Sequence, residues 1–206
     1  MGDEGDYLEG FECAMFVDES DQPSTVDYTF QGGVTVKITE HPRHMQHIAS
    51  SEQQVLWGSA LTLSRFLSKN RDHLQGRKIL ELGAGCGLVG LVCALNMHRC
   101  PNHKKGFVML TDGQKETVDR FEKTLQQNDF TKLSNGMYTI GDNKEDSGNT
   151  NTVDVATEHL WWGEQEAEKH KNTHGKYNLI VGSSVTYTHE GISPLLQTIS
   201  ALLEEG

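Results

Sequence analysis

The sequence has little positive charge, few cysteines and prolines, and no long apolar run. Its 18 lysines and arginines are outnumbered by 29 aspartates and glutamates, which gives a formal net charge of −11. No basic stripe offsets this excess, so the composition argues against nucleic acid as a partner, because its phosphates would be repelled. No apolar segment approaches the roughly 20 residues of a membrane-spanning helix, so no membrane association is expected.

The four cysteines do not form the pattern of a disulfide framework or of a structural zinc site. No Cys-x-x-Cys pair occurs, and Cys93 and Cys100, with His98 and His103 nearby, are interpreted as helix-end and loop residues. We therefore predict no metal site, and we expect the scattered histidines to be solvated. Free thiols suit a reducing compartment, which favours a cytoplasmic protein, with the nucleus as the alternative.

The first 26 residues are predicted to be a disordered acidic leader. Residues 1–21 contain eight acidic residues and no lysine or arginine. Such a segment has too little apolar surface to fold alone, and it lacks the apolar core of a signal peptide. A second interpretation is that it attracts a basic protein substrate. Residues 27–206 are then expected to form the folded domain.

From residue 28 onward, strand patterns alternate with helix patterns, which predicts a Rossmann-like, doubly wound α/β fold with a mostly parallel sheet. Residues 131–152 are predicted to be a long polar insertion, and 164–175 a charged linker. The predicted elements are a hairpin over 28–38, a helix over 55–74, a strand over 78–82, a helix over 88–96, a strand over 107–111, a helix over 115–128, strands over 153–160 and 177–181, and a helix over 192–203.

The most informative motif is the glycine-rich segment Glu81-Leu-Gly83-Ala84-Gly85-Cys-Gly87. It follows an apolar strand and precedes an apolar helix, which is the setting where glycines let a ligand approach the backbone. An acid, Asp112, ends the next strand, where it can accept hydrogen bonds from ribose hydroxyls. The pattern therefore predicts a cofactor that contains adenosine.

The glycine spacing helps to distinguish between cofactors. A dinucleotide site usually has the spacing G-x-G-x-x-G, whereas this loop has G-x-G-x-G. The sequence also lacks a Tyr-x-x-x-Lys or a histidine-centred catalytic set, which argues against a nicotinamide-dependent oxidoreductase. That class of enzyme remains an alternative on these motifs alone.

Several motifs together resemble the seven-strand, class I methyltransferases that use S-adenosylmethionine, and family 16 of the protein methyltransferases in particular. The matching segments are the glycine motif, Leu110-Thr-Asp112-Gly113, Leu160-Trp-Trp162-Gly163 and the stretch 177–187. The resemblance implies S-adenosylmethionine as cofactor and S-adenosylhomocysteine as product. It also implies a set of cofactor-binding residues: Trp57, Glu81, Gly83, Ala84, Gly85, Gly87, Asp112, Gly113, Trp162 and Ser183.

The resemblance further implies methylation of a protein side chain, with lysine as the expected acceptor. Lysine-modifying members have Asp-x-x-Tyr after the fourth strand, whereas this chain has Ser184-Val-Thr-Tyr187. Ser184 and Tyr187 are the predicted catalytic residues. Because serine attracts an ammonium group less strongly than aspartate, arginine or histidine also remain possible acceptors. A catalytically degenerate binding module is the alternative function.

The same family suggests an intracellular protein substrate, with elongation factors, chaperones and calmodulin as candidates. A complete fold of this kind has three more strands than this sequence contains. The expected strand order is 3-2-1-4, which leaves the fourth strand at an exposed edge and predicts a sheet that is shortened at its C-terminal end.

Overall fold

Two sheets and five α-helices form the part of the chain that the computed structural model describes, residues 22–42, 55–100, 105–141 and 152–205. The predicted leader lies mostly outside these residues, although the first strand begins at Ser24. The elements are β1 (Ser24–Thr29), β2 (Thr35–Glu40), α1 (Gly58–Lys69), β3 (Lys78–Leu82), α2 (Leu88–His98), β4 (Gly106–Asp112), α3 (Lys115–Gln127), β5 (Thr131–Lys132), β6 (Tyr138–Ile140), β7 (Val153–His159), α4 (Glu164–His174), β8 (Leu179–Val181) and α5 (His189–Leu202).

The larger sheet has the order β5-β6-β7-β4-β3-β8, and its last four strands run parallel. The predicted order 3-2-1-4 is confirmed in β7-β4-β3-β8, with β8 at the edge. Parallel strands and crossing helices together form a Rossmann-like α/β fold, as predicted. The order changes direction between β3 and β8, and a ligand commonly binds in the crevice at such a switch point.

Helices cover both faces of the sheet, which explains why its strands are almost entirely apolar. Ile79, Val108 and Leu110 face one side, where they join a core with α2, whose residues from Leu88 to Met97 are all buried. Leu80 and Met109 face the other side and pack with residues of α4 and α5.

The smaller sheet is the antiparallel pair of β1 and β2, which confirms the predicted hairpin. Val34, Val36 and Ile38 are fully buried, so the hairpin packs its apolar face on the domain core. The side chain of Asn128, at the end of α3, accepts a hydrogen bond from the Lys37 amide at 2.8 Å and donates one to the Lys37 carbonyl at 2.8 Å.

The predicted loop over 131–152 is wrong at its beginning, because β5 and β6 extend the sheet there in antiparallel pairing. Tyr138 and Thr139 of β6 are buried against β7, but two strands of two and three residues are too short to produce a sequence period. Residues 142–151 lie outside the described residues.

The charged segment over 164–175 is a helix, α4, and the predicted linker is wrong. Only Ala167 and His170 are buried, so the rest of the helix is polar and the sequence shows no apolar period. Glu164 and Glu166 lie in the first turn, where negative charge interacts favourably with the helix dipole.

Two other predicted helices differ from the structure by about one turn or more at one end. The helix over 55–74 is α1 followed by a separate 3-10 turn at Arg71–Leu74, because Asn70 ends α1 and its side chain donates to the Phe66 carbonyl at 2.8 Å. The last helix begins at His189 instead of 192, because the Thr188 side chain caps it by accepting from the Gly191 amide at 3.2 Å.

None of the helices in the described ranges combines the length and apolar character needed to cross a membrane.

Candidate functional site

The glycine-rich segment forms a tight turn between β3 and α2. Gly83, Gly85 and Gly87 have φ values of 63°, 54° and 77°, in the left-handed region that other residues adopt only with strain. The turn is held by hydrogen bonds from the Ala84 amide to the Thr111 carbonyl at 2.9 Å and from the Gly87 amide to the Ala84 carbonyl at 2.8 Å. The turn is therefore built around its glycines and is anchored to β4.

Asp112, at the end of β4, connects this turn to the next one. Its two carboxylate oxygens accept one hydrogen bond each, from the Gly85 amide at 3.0 Å and from the Gln114 amide at 2.9 Å. A carboxylate offers about four acceptor positions, so two remain for a ligand. The acid is thus held at the end of the strand, where the sequence placed it, and its predicted contact with ribose hydroxyls stays a prediction.

Glu81 lies in the interior and faces α2. Its carboxyl group accepts a hydrogen bond from the Gly90 amide at 2.8 Å, and the residue is 1% exposed. Burial raises the pKa of Glu81 to about 8, and the nearby Asp112 charge adds to this, whereas the Gly90 hydrogen bond opposes it. In this structure Glu81 fixes the position of α2 behind the turn, and its predicted contact with a cofactor stays a prediction.

Glu81→Gln is expected to remove a pH dependence of stability. The native pKa of about 8 exceeds the unfolded value of 4.5, so the native state binds more protons between these pH values. The stabilisation from this group is full below pH 4.5 and is lost as the pH rises through 8. Urea unfolding of the unaltered chain should show the free energy of unfolding falling by an amount on the order of a few kcal/mol from about pH 5 to about pH 8.5.

In the Glu81→Gln variant, the free energy of unfolding should change less with pH over the same range. Glu164→Gln is the matched control, because Glu164 is exposed at the start of α4. A pH profile of Glu81→Gln that runs parallel to that of the unaltered chain would contradict the assignment.

Two neighbouring tryptophans take different positions near the turns. A Cβ atom on Gly113 would lie 3.3 Å from the ring of Trp161, and a Cβ atom on Gly83 would lie 3.4 Å from the ring of Trp162. Trp161 is 57% exposed and stands edge-on to His159, whose Nε2 lies 3.0 Å from the Gly113 carbonyl. The predicted Trp162 therefore lies beside the glycine turn, and Trp161, which was not among the predicted site residues, lies beside the Gly113 turn.

The segment after β8 also reaches the glycine turn. Val185 lies beside Gly83, since a Cβ atom there would be 3.0 Å from its Cγ1. Ser184 has a left-handed backbone with φ 55°, and its hydroxyl lies 2.6 Å from the hydroxyl of Ser59 in α1. This contact brings the start of α1 next to the segment that carries the predicted catalytic residues.

The remaining predicted residues lie at the surface of this region. Trp57 directly precedes α1 and is 47% exposed, and the Tyr187 side chain is 81% exposed. Ser183 is half-buried just after β8. All of these residues follow strands or precede helices at the carboxyl end of the parallel sheet, the edge where α/β proteins place their ligands.

A parallel sheet, a left-handed glycine turn and an acid at the next strand end define a Rossmann-like site for an adenosine-containing ligand. Residues 43–206 match the family described as lysine methyltransferase, and the chain belongs to that family. The predicted resemblance is thereby confirmed.

Characterised relatives include lysine-modifying enzymes. The chain is 30% identical to the protein N-lysine methyltransferase METTL21A of Danio rerio, an alignment that covers 72% of this chain and 54% of the relative. It is 27% identical to the protein-lysine N-methyltransferase EFM3 of Chaetomium thermophilum, in an alignment that covers 72% of this chain and 38% of the relative. The calmodulin-lysine N-methyltransferase of Arabidopsis thaliana is 25% identical to this chain, in an alignment that covers 72% of this chain and 40% of the relative. The chain thus spans about half of these relatives, or less.

A solved structure supports the fold. A candidate S-adenosylmethionine-dependent methyltransferase of Streptococcus mutans superposes with a TM-score of 0.50 at 11% identity, covering 91% of this chain and 40% of that one. At this identity the similarity concerns the fold alone.

Proposed function

We propose that the protein transfers a methyl group from S-adenosylmethionine to a lysine side chain of another protein. The observation that carries this proposal is the position of Asp112, bonded to the amides of Gly85 and Gln114 beside a left-handed glycine turn, in a chain of the lysine methyltransferase family. The relatives named above support a protein lysine as the acceptor.

The residues of the two turns suit the proposed cofactor. The free acceptor positions of Asp112 match the two ribose hydroxyls, and the glycine turn allows close backbone approach. Trp161 and Trp162 place aromatic rings beside Gly113 and Gly83, and aromatic rings of this kind stack on an adenine base. When bound, S-adenosylmethionine supplies an electrophilic methyl group, so the protein mainly needs to orient its acceptor.

Ser184 and Tyr187 are the proposed contacts for the acceptor amine. A methyl transfer of this kind needs a neutral nitrogen in line with the methyl group, which makes positioning more important than acid or base strength. The exposed Tyr187 hydroxyl can hydrogen-bond an incoming amine. The Ser184 hydroxyl is oriented by Ser59, which gives this segment a defined geometry at the end of β8.

Relatives and composition together narrow the substrate class. The names of two relatives specify a lysine of calmodulin and a lysine of EEF1A, and we propose proteins of these kinds, together with chaperones, as candidates. A net charge of −11 argues against nucleic acid as the substrate. Cys93 and Cys100 are free thiols, which fits a cytoplasmic or nuclear location.

Two experiments test this function one after the other: calorimetric titration with cofactors and then a methyl-transfer assay. The chain is titrated with S-adenosylmethionine, S-adenosylhomocysteine and NAD, and is then incubated with cofactor and each candidate protein before mass spectrometry of lysine peptides. Binding of the two sulfur compounds but not NAD, followed by a gain of methyl mass on lysine, is the expected result. Tight binding of NAD alone, or methyl groups only on arginine or histidine, would contradict the proposal.

Tyr187→Ala is expected to separate cofactor binding from transfer. Because the side chain is 81% exposed, its removal should leave the melting temperature and the calorimetric affinity for S-adenosylmethionine unchanged. The rate of methyl transfer should fall by roughly 10- to 100-fold, the effect of losing one or two hydrogen bonds to the acceptor. Leu196→Ala is the control, because Leu196 is also exposed but lies on α5. An unchanged transfer rate would exclude the proposed role of Tyr187.

A further inference from the structure

Three side chains that could bind a metal ion converge between β7 and α4. His170 and His174 lie four residues apart on one face of α4, and Glu158 is the penultimate residue of β7. The Glu158 Oε2 atom lies 3.0 Å from Nδ1 of His170 and 2.7 Å from Nε2 of His174. The candidate ligand atoms of all three residues lie within 4.8 Å of one another.

This arrangement corrects one expectation from the sequence and bears on another. The histidines were predicted to be solvated, which is wrong for His170, since that residue is 2% exposed. The sequence also predicted no metal site, because its Cys and His spacings do not fit structural zinc, and the proposal below departs from that prediction.

Two buried polar atoms of the cluster lack a hydrogen bond of normal geometry. Nδ1 of His170 and Oε2 of Glu158 are buried and make no hydrogen bond of normal geometry, although they lie 3.0 Å apart. Buried polar atoms normally have a partner, because leaving one unpaired costs about 1–3 kcal/mol. A metal ion between the three groups would give both atoms a partner.

The opposite side of His170 is already fixed. Its Nε2 lies 2.7 Å from the hydroxyl of the fully buried Tyr177. A histidine that binds a metal through one ring nitrogen usually donates its other N–H to an oxygen, which sets the tautomer and the ring orientation. If His170 binds a metal through Nδ1, the Tyr177 hydroxyl is in the position of the oxygen that accepts a hydrogen bond from its Nε2–H.

We propose that Glu158, His170 and His174 form a binding site for a divalent transition-metal ion, with Zn²⁺ as the best match. Two imidazole nitrogens and one carboxylate oxygen are ligands that Zn²⁺ accepts, and three protein ligands leave one position for water. The side chains of His174 and Glu158 are 30% and 36% exposed, so an ion can enter from solvent. The bound ion would link α4 to β7 just before the segment that carries Trp161 and Trp162.

The surroundings are compatible with a cation. Contact with His170 lowers the pKa of Glu158, so its carboxyl group is ionised at neutral pH. Lys78 is a nearby positive group, and it is turned toward the His174 carbonyl and the face of the Tyr177 ring.

Visible absorption of Co²⁺ as a substitute for Zn²⁺ tests the site in the full chain. After chelator treatment, one equivalent of Co²⁺ should produce the intense bands of a four-coordinate site, and added Zn²⁺ should abolish them. His174→Gln and Glu158→Gln should each lose the bands, and both side chains are exposed enough for replacement without unfolding, which circular dichroism checks. His73→Gln is the matched control, because His73 is an exposed histidine in the turn after α1.

Tyr177→Phe provides a second variant that retains all three ligands. Loss of this supporting hydrogen bond should weaken Co²⁺ affinity by about 10- to 100-fold without removing the bands. Zn²⁺ should also raise the melting temperature of the unaltered chain and of His73→Gln, but not that of His174→Gln. The absence of Co²⁺ bands in the unaltered chain, their persistence in both ligand variants, or their loss in His73→Gln would overturn the proposal.

Discussion

Asp112→Ala should weaken binding of S-adenosylmethionine by about 100-fold or more. The substitution removes the acceptor proposed for two ribose hydroxyls, and hydrogen bonds to a charged group contribute about 1.5–3 kcal/mol each. It also releases the amides of Gly85 and Gln114, which Asp112 holds at 3.0 and 2.9 Å. Calorimetric titration of the variant measures the loss directly.

A matched control separates the loss of the site from the loss of a surface charge. Asp119→Ala removes an acid that is 64% exposed in α3 and pairs with Lys115, so its affinity for the cofactor should equal that of the unaltered chain. Asp112→Asn keeps one acceptor oxygen, so its affinity for the cofactor should lie between the affinities of Asp112→Ala and Asp119→Ala. Equal affinity of Asp112→Ala and the unaltered chain would place the cofactor elsewhere.

Gly90→Ala should strongly destabilise the domain, although it adds only one methyl group. A Cβ atom at this position would lie 2.1 Å from Cδ2 of Leu110 and 2.7 Å from Oε2 of Glu81. Leu110 is 1% exposed and has no room to move, so the backbone of α2 must shift away from the sheet. Overpacking of this kind costs about 1–3 kcal/mol, and the strained Glu81 hydrogen bond adds to it, for an expected loss of roughly 3 kcal/mol or more.

Gly58→Ala tests whether this effect comes from the space around the glycine. Gly58 begins α1, and a Cβ atom there would meet nothing within 4 Å. Alanine should stabilise this position slightly, by roughly 0.4–1 kcal/mol, because it restricts the unfolded chain. Denaturant unfolding of both variants gives the two free energies, and a Gly90→Ala variant as stable as Gly58→Ala would contradict the described packing of α2 on β4.

The features that the sequence predicted correctly share a local origin. The strand over 78–82, the glycine turn and Asp112 occur in one continuous stretch of 35 residues, from Lys78 to Asp112. Strands that are buried on both faces must be apolar throughout, so a parallel sheet could be predicted from apolar strands that alternate with helices, whereas the strand order came from the resemblance to the family. The left-handed turn likewise requires glycine, which makes it visible in the sequence.

The errors concern elements whose burial depends on distant partners. In α4 only Ala167 and His170 face inward, so the helical period could not be distinguished from a charged linker. The strand β6 is short, and its burial against β7 is produced by pairing across a long connection. The paired tryptophans in the sequence suggest that one ring lies near a turn of the site. Only the structure shows that Trp161 lies beside Gly113 and Trp162 beside Gly83.

The sequence alone determined that this protein has a parallel sheet with a glycine turn and an acid at the end of the next strand, because these depend on backbone conformation and on residues near in the chain. Only the tertiary structure decided that Glu81 faces α2, that Ser184 meets Ser59, and that Glu158 lies between His170 and His174. Such contacts depend on how separate elements pack, and packing distances are not encoded in the spacing of residues along the chain.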